Sequence, residues 1–287
     1  VGIVSTNDYQ LMVQKRRLNN TLEDPQLNTI KGTNWSPASR CTPQSELAGE
    51  FATWYQKDFP LMAAMGINTV RTFTDLGTGT ETTEILNELY DNQLMAIITV
   101  DNAIANSETI TATVNAYKNH PAILMWSVGN EWDLNGYYGT FSNSSDAAAF
   151  TEWAAQVIHE LDPNHPVTSV LSDIDRGAQS PATSEIVNGL VPSIGLWGSN
   201  VYRGQTFGNL FSRWRQISAK PLVEGRSTER RSIGAKSAPN RRPNDQQQNL
   251  QSGRMGPLPT GDRFGTDSSL SAASRSAPRL GRPTHWR

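Results

Sequence analysis

Between residues 29 and 223 the chain alternates between two textures, and this alternation restricts the fold more than any other feature. Short β-branched or apolar runs occur at Thr29–Trp35, Thr69–Phe73, Met95–Val100, Ala122–Val128, Pro166–Leu171, Ile194–Tyr202 and Lys220–Val223. Stretches with helical spacing lie between them: Glu46–Met65, Thr80–Asn92, Glu108–Lys118, Asp146–Leu161, Ser184–Leu190 and Phe207–Ile217. Regular exchange of strand and helix predicts a parallel sheet joined by crossover helices. Runs such as Met95–Val100 are apolar on both faces, as strands covered on both sides must be. Seven strands and six helices fall one strand and two helices short of a closed (β/α)₈ barrel. The expectation is an α/β chain whose residues 29–224 form an incomplete TIM barrel of about seven strands.

Local signals agree with these boundaries. Met65–Gly66 ends the first helix with a residue that tolerates positive φ. His120–Pro121 and Asn164–His165–Pro166 set a proline just before a strand, where its missing N–H costs little. Asp162–Pro163 closes the long fourth helix. Residues 1–28 contain one strand-like piece, Tyr9–Lys15, and polar linker. They suit either the end of a preceding β-module or a cover over the bottom of the barrel.

The last stretch is of another kind. Residues 1–224 hold 13 Lys and Arg against 23 Asp and Glu, whereas residues 225–287 hold 12 against 4. Gly, Pro, Ser, Arg, Gln and Asn dominate the latter, Tyr and Val are absent, and Ile233, Leu250, Phe264, Leu280 and Trp286 follow no period. Such a composition predicts a disordered basic tail. Its cations lack interleaved aromatics or a helical face, so a solvated tail fits it better than nucleic-acid or anionic-surface binding.

Several function classes receive no support. No apolar run reaches 18 residues, so no transmembrane helix is expected. Cys41 is the only cysteine, which excludes an internal disulfide and a cysteine-based zinc site. No phosphate loop or nucleotide fingerprint is present, and His120, His159, His165 and His285 are dispersed, so no cofactor or metal is expected. The chain opens on Val rather than Met, as a fragment or processed precursor does.

The strongest chemical signal is Trp126–Ser–Val–Gly–Asn–Glu131–Trp132 at the end of the fourth strand. Catalytic groups of this fold sit at the carboxyl ends of strands. There Asn130 can hydrogen-bond a sugar hydroxyl. Glu131 can protonate a leaving oxygen if an apolar setting, such as Trp126 and Trp132 provide, raises its pKa. The plainer alternative is a helix-starting Asn–Glu with Glu131 solvated.

Longer motifs carry a family resemblance. Lys31–Gly–Thr–Asn34–Trp35, then Asp58–Phe–Pro–Leu–Met–Ala–Ala–Met–Gly–Ile–Asn–Thr–Val–Arg71–Thr–Phe, then His120–Pro–Ala–Ile–Leu–Met–Trp–Ser–Val–Gly–Asn130–Glu131, resemble the clan A glycoside hydrolases. They are most similar to the family 2 catalytic barrel and the related β-1,3-glucanosyltransferase-like barrels. Asp162–Pro–Asn–His–Pro–Val167 and Gly198–Ser–Asn–Val–Tyr202 continue the likeness in order, over about residues 29–223. The resemblance implies Glu131 as general acid/base and Asn130 as its sugar-binding partner. It implies Arg71 as the arginine contacting the nucleophilic carboxylate and Tyr202 as the hydroxyl bonded to that carboxylate. A salt-bridging Arg and a core Tyr are the simpler readings of the last two. Asn34, Trp35 and Asp101 also end strands and are candidate subsite residues. Trp35, Trp132 and Trp197 are candidate stacking platforms, with burial the default for each. Relatives acting on polymers are commonly exported, so a secreted or cell-surface location and an oligo- or polysaccharide partner follow from the resemblance.

The likeness breaks at strand seven. A retaining glycosidase needs two carboxyl groups about 5–5.5 Å apart, an acid/base and a nucleophile. The family's nucleophile follows a Lys–Pro strand opening after three or four residues, in Glu–Tyr–Gly. Here Lys220–Pro221–Leu222–Val223 leads to Glu224–Gly225–Arg226–Ser227–Thr228, so Glu224 comes about two residues early and no Glu–Tyr–Gly appears. If Arg226 to Ile233 are encoded CGG AGT ACG GAG CGG CGT TCG ATN, a two-base shift reads Glu–Tyr–Gly–Ala–Ala–Phe–Asp. A frameshift between about residues 223 and 226 therefore accounts for the missing motif, the charge reversal and the loss of periodicity together. Two functions are carried forward. One is a retaining β-glycosidase or transglycosylase for a β-linked glycan, impaired by loss of its nucleophile. The other is a non-catalytic carbohydrate-binding pseudoenzyme.

Overall fold

A computed structural model of the chain describes residues 2–37 (except 8, 16, 18 and 20), 50–101, 106–134, 140–174, 186, 189–203 and 206–227. Seven strands run in parallel in sequence order: β4 (Gly32–Trp35), β5 (Thr69–Thr72), β6 (Met95–Asp101), β7 (Ile123–Asn130), β8 (Val167–Leu171), β9 (Leu196–Val201) and β10 (Leu222–Ser227). Helices α1 (Phe51–Ala64), α2 (Thr80–Asp91), α3 (Ser107–Tyr117), α4 (Ser144–Leu161) and α5 (Leu210–Ile217) form crossovers between them. The chain is thus the α/β barrel expected from its alternation, with seven strands among the described residues. The helix expected at Ser184–Leu190 lies mostly outside the described residues, as does the whole basic segment after residue 227.

Capping fixes where helices begin. Asn106 accepts from Thr109 N at 2.8 Å and Asn143 from Asp146 N at 2.9 Å, each satisfying an amide that α3 or α4 leaves unbonded. The last helix starts at Leu210 rather than at Phe207, because Gly208 adopts φ +54 and breaks the helical run before it.

The barrel strands bury both faces. Outward residues such as Val70, Ile98, Trp126, Leu171 and Trp197 pack with Phe59, Ile85, Leu89, Val114 and Ile158 of the helices. Burying each side chain of this size contributes roughly 1.5–3 kcal/mol. Gly198 is required by packing: a Cβ there would lie 2.7 Å from Val170 Cγ2.

The amino-terminal residues build more than one strand. β1 (Ile3–Asn7), β2 (Gln10–Gln14) and β3 (Gln26–Leu27) form a small antiparallel sheet. Val4, Leu11 and Val13 share a cluster with Ile97, Leu124, Met125 and Leu196, near the amino ends of barrel strands, and Val4 N donates to Asn164 O at 2.8 Å.

The seven-stranded sheet leaves β4 and β10 as its edges. Their backbones approach within 8 Å at Cα, and no pairing between them is seen among the described residues. Inside lies a cavity of about 180 Å³ lined by Gly32, Asn34, Arg71, Met125, Val170 and Val223, among others.

Candidate active site

Four inward side chains meet at the carboxyl ends of the strands. Arg71 of β5 donates through Nη1 to Asn34 Oδ1 of β4 and through Nη2 to Asn130 Oδ1 of β7, each at 3.4 Å. Asn200 of β9 donates to the same Asn130 oxygen at 3.3 Å. All of these are at the long end of the hydrogen-bond range. Arg71 and Asn200 are nearly fully buried. Asn200 Oδ1 has no hydrogen-bond partner, so a buried acceptor is open for an incoming donor.

Glu131 follows immediately. Its φ of +51 lies in the left-handed region, which costs a non-glycine residue roughly 1–2 kcal/mol. Such strain persists only where the surroundings enforce it. Glu131 N donates to Val170 O of β8 at 2.7 Å, and Leu134 N closes a turn onto Glu131 O at 2.9 Å. Gly129, with φ +76, permits the kink before it.

The tryptophans lie elsewhere. Trp35 packs on Phe51 and Phe59 of α1 and donates its indole N–H to Asp58 at 2.9 Å. Trp126 donates to Asp162 at 2.8 Å, and Trp132 to Ser169 Oγ at 3.1 Å. Trp197 packs edge-on against Trp214. All four are 2 % exposed or less and belong to the strand–helix layer, so this placement keeps them out of the polar cluster and gives them no stacking surface. The same burial leaves Trp126 and Trp132 anchored in that layer rather than exposed beside the cluster.

Tyr202 directly follows β9 and is exposed. Asp101 ends β6, and its side chain lies outside the described residues. The side chain of Glu224 does too, but its strand position is clear. On β10, Val223 pairs with Gly198 and Glu224 with Ser199, then an irregularity follows and Arg226 pairs with Asn200. The register position level with the cluster on β10 is therefore held by Arg226. Ser199 Oγ donates to Ser172 O, just after β8, at 3.0 Å.

Two residues of this end were not singled out from the sequence. Asn200 sits at the same strand parity as Gly198, and an amide inside an otherwise apolar strand was the available signal. Asp133, 7 % exposed, accepts from Ser172 N at 3.0 Å and from Ser172 Oγ at 2.6 Å. Nothing in the sequence pairs it with Ser172. Among the described residues no group of three or more His, Cys, Asp or Glu side chains could hold a metal ion. No described helix is long and apolar enough to cross a membrane.

The polar cluster lies at the carboxyl mouth of a parallel β/α barrel, where this fold places its active sites. The family model for the glycosyl hydrolases family 2 TIM barrel domain matches residues 77–249, more than half of the chain, and the chain belongs to that family. Solved structures agree on the fold. The β-D-glucuronidase of Dictyoglomus thermophilum aligns with a TM-score of 0.51 at 16% identity, over 78% of this chain and 38% of its own. A β-mannanase from the blue mussel Mytilus edulis aligns with 0.54 at 14% identity, over 78% and 82%. A calcium-binding mutant of Bacteroides uniformis β-glucuronidase 2 aligns with 0.50 at 15% identity, over 74% and 29%. The chain spans between a quarter and two fifths of the glucuronidases' length. No curated protein matches the sequence.

Proposed function

We propose that this chain is the barrel of a retaining β-glycoside hydrolase or transglycosylase in which Glu131 is the general acid/base, and that its turnover is impaired by the lack of a nucleophilic carboxylate on β10. The observation that carries the reading is the contrast across the cluster. Asn34, Arg71, Asn130 and Asn200 converge beside Glu131, while the β10 position paired with Asn200 is Arg226. In a double displacement one carboxylate attacks the anomeric carbon as the other protonates the departing oxygen. Without the first, the covalent route is lost. Glu224 stands opposite Ser199, one pairing step earlier. Edges on β4 and β10 that no described strand pairs with would add a tendency to aggregate.

The substrate class is a β-linked glycan. The solved relatives include enzymes named for glucuronides and mannans, so β-glucuronides and β-mannosides head the panel, with β-glucosides and β-galactosides as companions. The test is cleavage of these aryl glycosides with and without azide. Azide supplies the missing nucleophile: its nitrogen bonds the anomeric carbon as the bond to the aglycone oxygen breaks, and Glu131 gives that oxygen its proton. Near-background turnover without azide, and an α-glycosyl azide product with it, are expected. Glu131→Gln then abolishes azide-assisted release of poor leaving groups. Efficient azide-independent turnover that Glu224→Gln destroys overturns the impairment.

A second reading, a carbohydrate-binding pseudoenzyme, is favoured by the same intact cluster and unpartnered Asn200 oxygen. It requires glycan binding with no turnover under any condition and no change in affinity for Glu131→Gln.

A further inference from the structure

We infer that Asp133 is a positioning residue for Glu131, clamping its turn to the ends of β8 and β9. The inference rests on the reading of Glu131 as proton donor and extends it to what aims that group.

Three neighbouring ties converge on one strand end. Glu131 N reaches Val170 O, the Trp132 indole reaches Ser169 Oγ, and both carboxylate oxygens of Asp133 take Ser172, one its N–H and the other its hydroxyl. Each partner belongs to β8 or the residue just after it. Ser172 in turn accepts the Ser199 hydroxyl of β9 through its carbonyl at 3.0 Å. The strand carrying Glu131, the strand carrying Asn200 and the strand between them are thus joined through Asp133 and Ser172.

The clamp has something to hold. Glu131 sits at φ +51, from which an unrestrained glutamate relaxes to negative φ and swings its side chain away. Trp132, fully buried, fixes where the turn enters the layer, and on its far side the Leu134 N–H returns to Glu131 O. Asp133 fixes that far side with two bonds from one partner, and bonds to an ionised acceptor are the stronger kind. Its carboxylate is nearly buried, and each of its oxygens accepts a bond from Ser172.

Amide exchange followed residue by residue reads the clamp directly, with no need for turnover. Asp133→Ala is expected to speed exchange at Glu131 N–H at least tenfold while the β7 amides of Met125 and Trp126 keep their rates. Asp133→Asn, which can still accept the Ser172 N–H and donate to its hydroxyl, is expected to keep the wild-type rate. Ser172→Ala, which removes one bond only, moves the rate in the same direction by less and serves if Asp133→Ala does not fold. In azide-assisted cleavage, Asp133→Ala is expected to lose at least tenfold on an alkyl β-glycoside, whose leaving oxygen needs a proton. It retains the rate on a 2,4-dinitrophenyl glycoside, whose leaving group does not. Unchanged Glu131 exchange in Asp133→Ala and Ser172→Ala, or equal acceleration throughout β7, overturns the clamp. Equal loss on both leaving groups overturns the positioning role. If Glu131→Gln itself has no effect on the alkyl glycoside, the proton-donor reading fails while the exchange data still decide the clamp.

Discussion

The two ends of the barrel are bonded in different ways. At the amino end, Asp162 accepts from the Trp126 indole at 2.8 Å, from His165 Nδ1 at 2.8 Å and from Asn164 N at 3.0 Å, with Asp162 and His165 each 1 % exposed. Beneath them the β1–β3 sheet seals the interior with Val4, Leu11 and Val13. At the carboxyl end, Asn34, Arg71, Asn130 and Asn200 meet one another at 3.3–3.4 Å, the Asn200 oxygen is open, and Glu131 is strained. At the amino end the buried carboxylate is closed by short bonds, whereas at the carboxyl end an open buried acceptor and a strained Glu131 sit in front of the short Asp133–Ser172 bonds.

This contrast can be broken most forcefully at Asp162. Asp162→Ala strands the Trp126 indole, the Asn164 N–H and His165 in the interior, and a loss of about 3 kcal/mol is expected in urea unfolding, with glycan affinity unchanged in whatever fraction folds. The same group sets an acid limit. Burial alone would raise the Asp162 carboxyl, but the bond and charge of His165, the Trp126 indole and the Asn164 N–H together hold it below the ordinary aspartate range. Its folded pKa is lower than its unfolded one, so its contribution is complete above the ordinary range, about pH 4. It is lost as pH falls from there through the folded value. Unfolding curves recorded from pH 6 to pH 3 should fall off in the wild type, and Asp162→Asn should flatten that fall.

A smaller effect is expected at the seal. Leu11→Ala should cost about 2 kcal/mol by leaving a void against Ile97 and Met125. Opposite behaviour is expected at the mouth. Asn200→Ala should alter stability by less than about 1 kcal/mol, since its oxygen is unsatisfied already. The same change should weaken binding of a β-linked oligosaccharide about tenfold by calorimetry, the cost of one lost buried bond. Smallest of all, Ser127→Ala in β7 removes a buried hydroxyl without a partner and should be neutral or stabilising by up to about 1 kcal/mol.

How much of this was legible beforehand depended on whether a period carried it. The seven barrel strands were readable because each is a β-branched or apolar run separated by helical spacing. β1 was missed, since Ile3–Asn7 offers only two apolar residues before it turns polar. Sidedness was the harder matter. Strands buried on both faces show no alternation, so nothing in the sequence told that Trp35 and Trp197 face the helices while Asn34 and Asn200 face the lumen. Asn34, Arg71 and Asn130 were found through motif resemblance, and the structure brings them together. Asn200 lies within the Gly198–Tyr202 motif without being singled out there, and Asp133 belongs to no such motif. Their importance comes from pairing across strands, which a single chain read in order does not display.

We propose that the proton-donating side of the mouth persists while the strand end facing it has been replaced. The nucleotide sequence across codons 223 to 233 tests this most directly, the more so because the family match runs on to residue 249, past the proposed junction. The account predicts that the alternative frame there reads Glu–Tyr–Gly and continues with the strand–helix alternation of a closing barrel. An alternative frame with no Glu–Tyr–Gly, or with early stop codons, would contradict it.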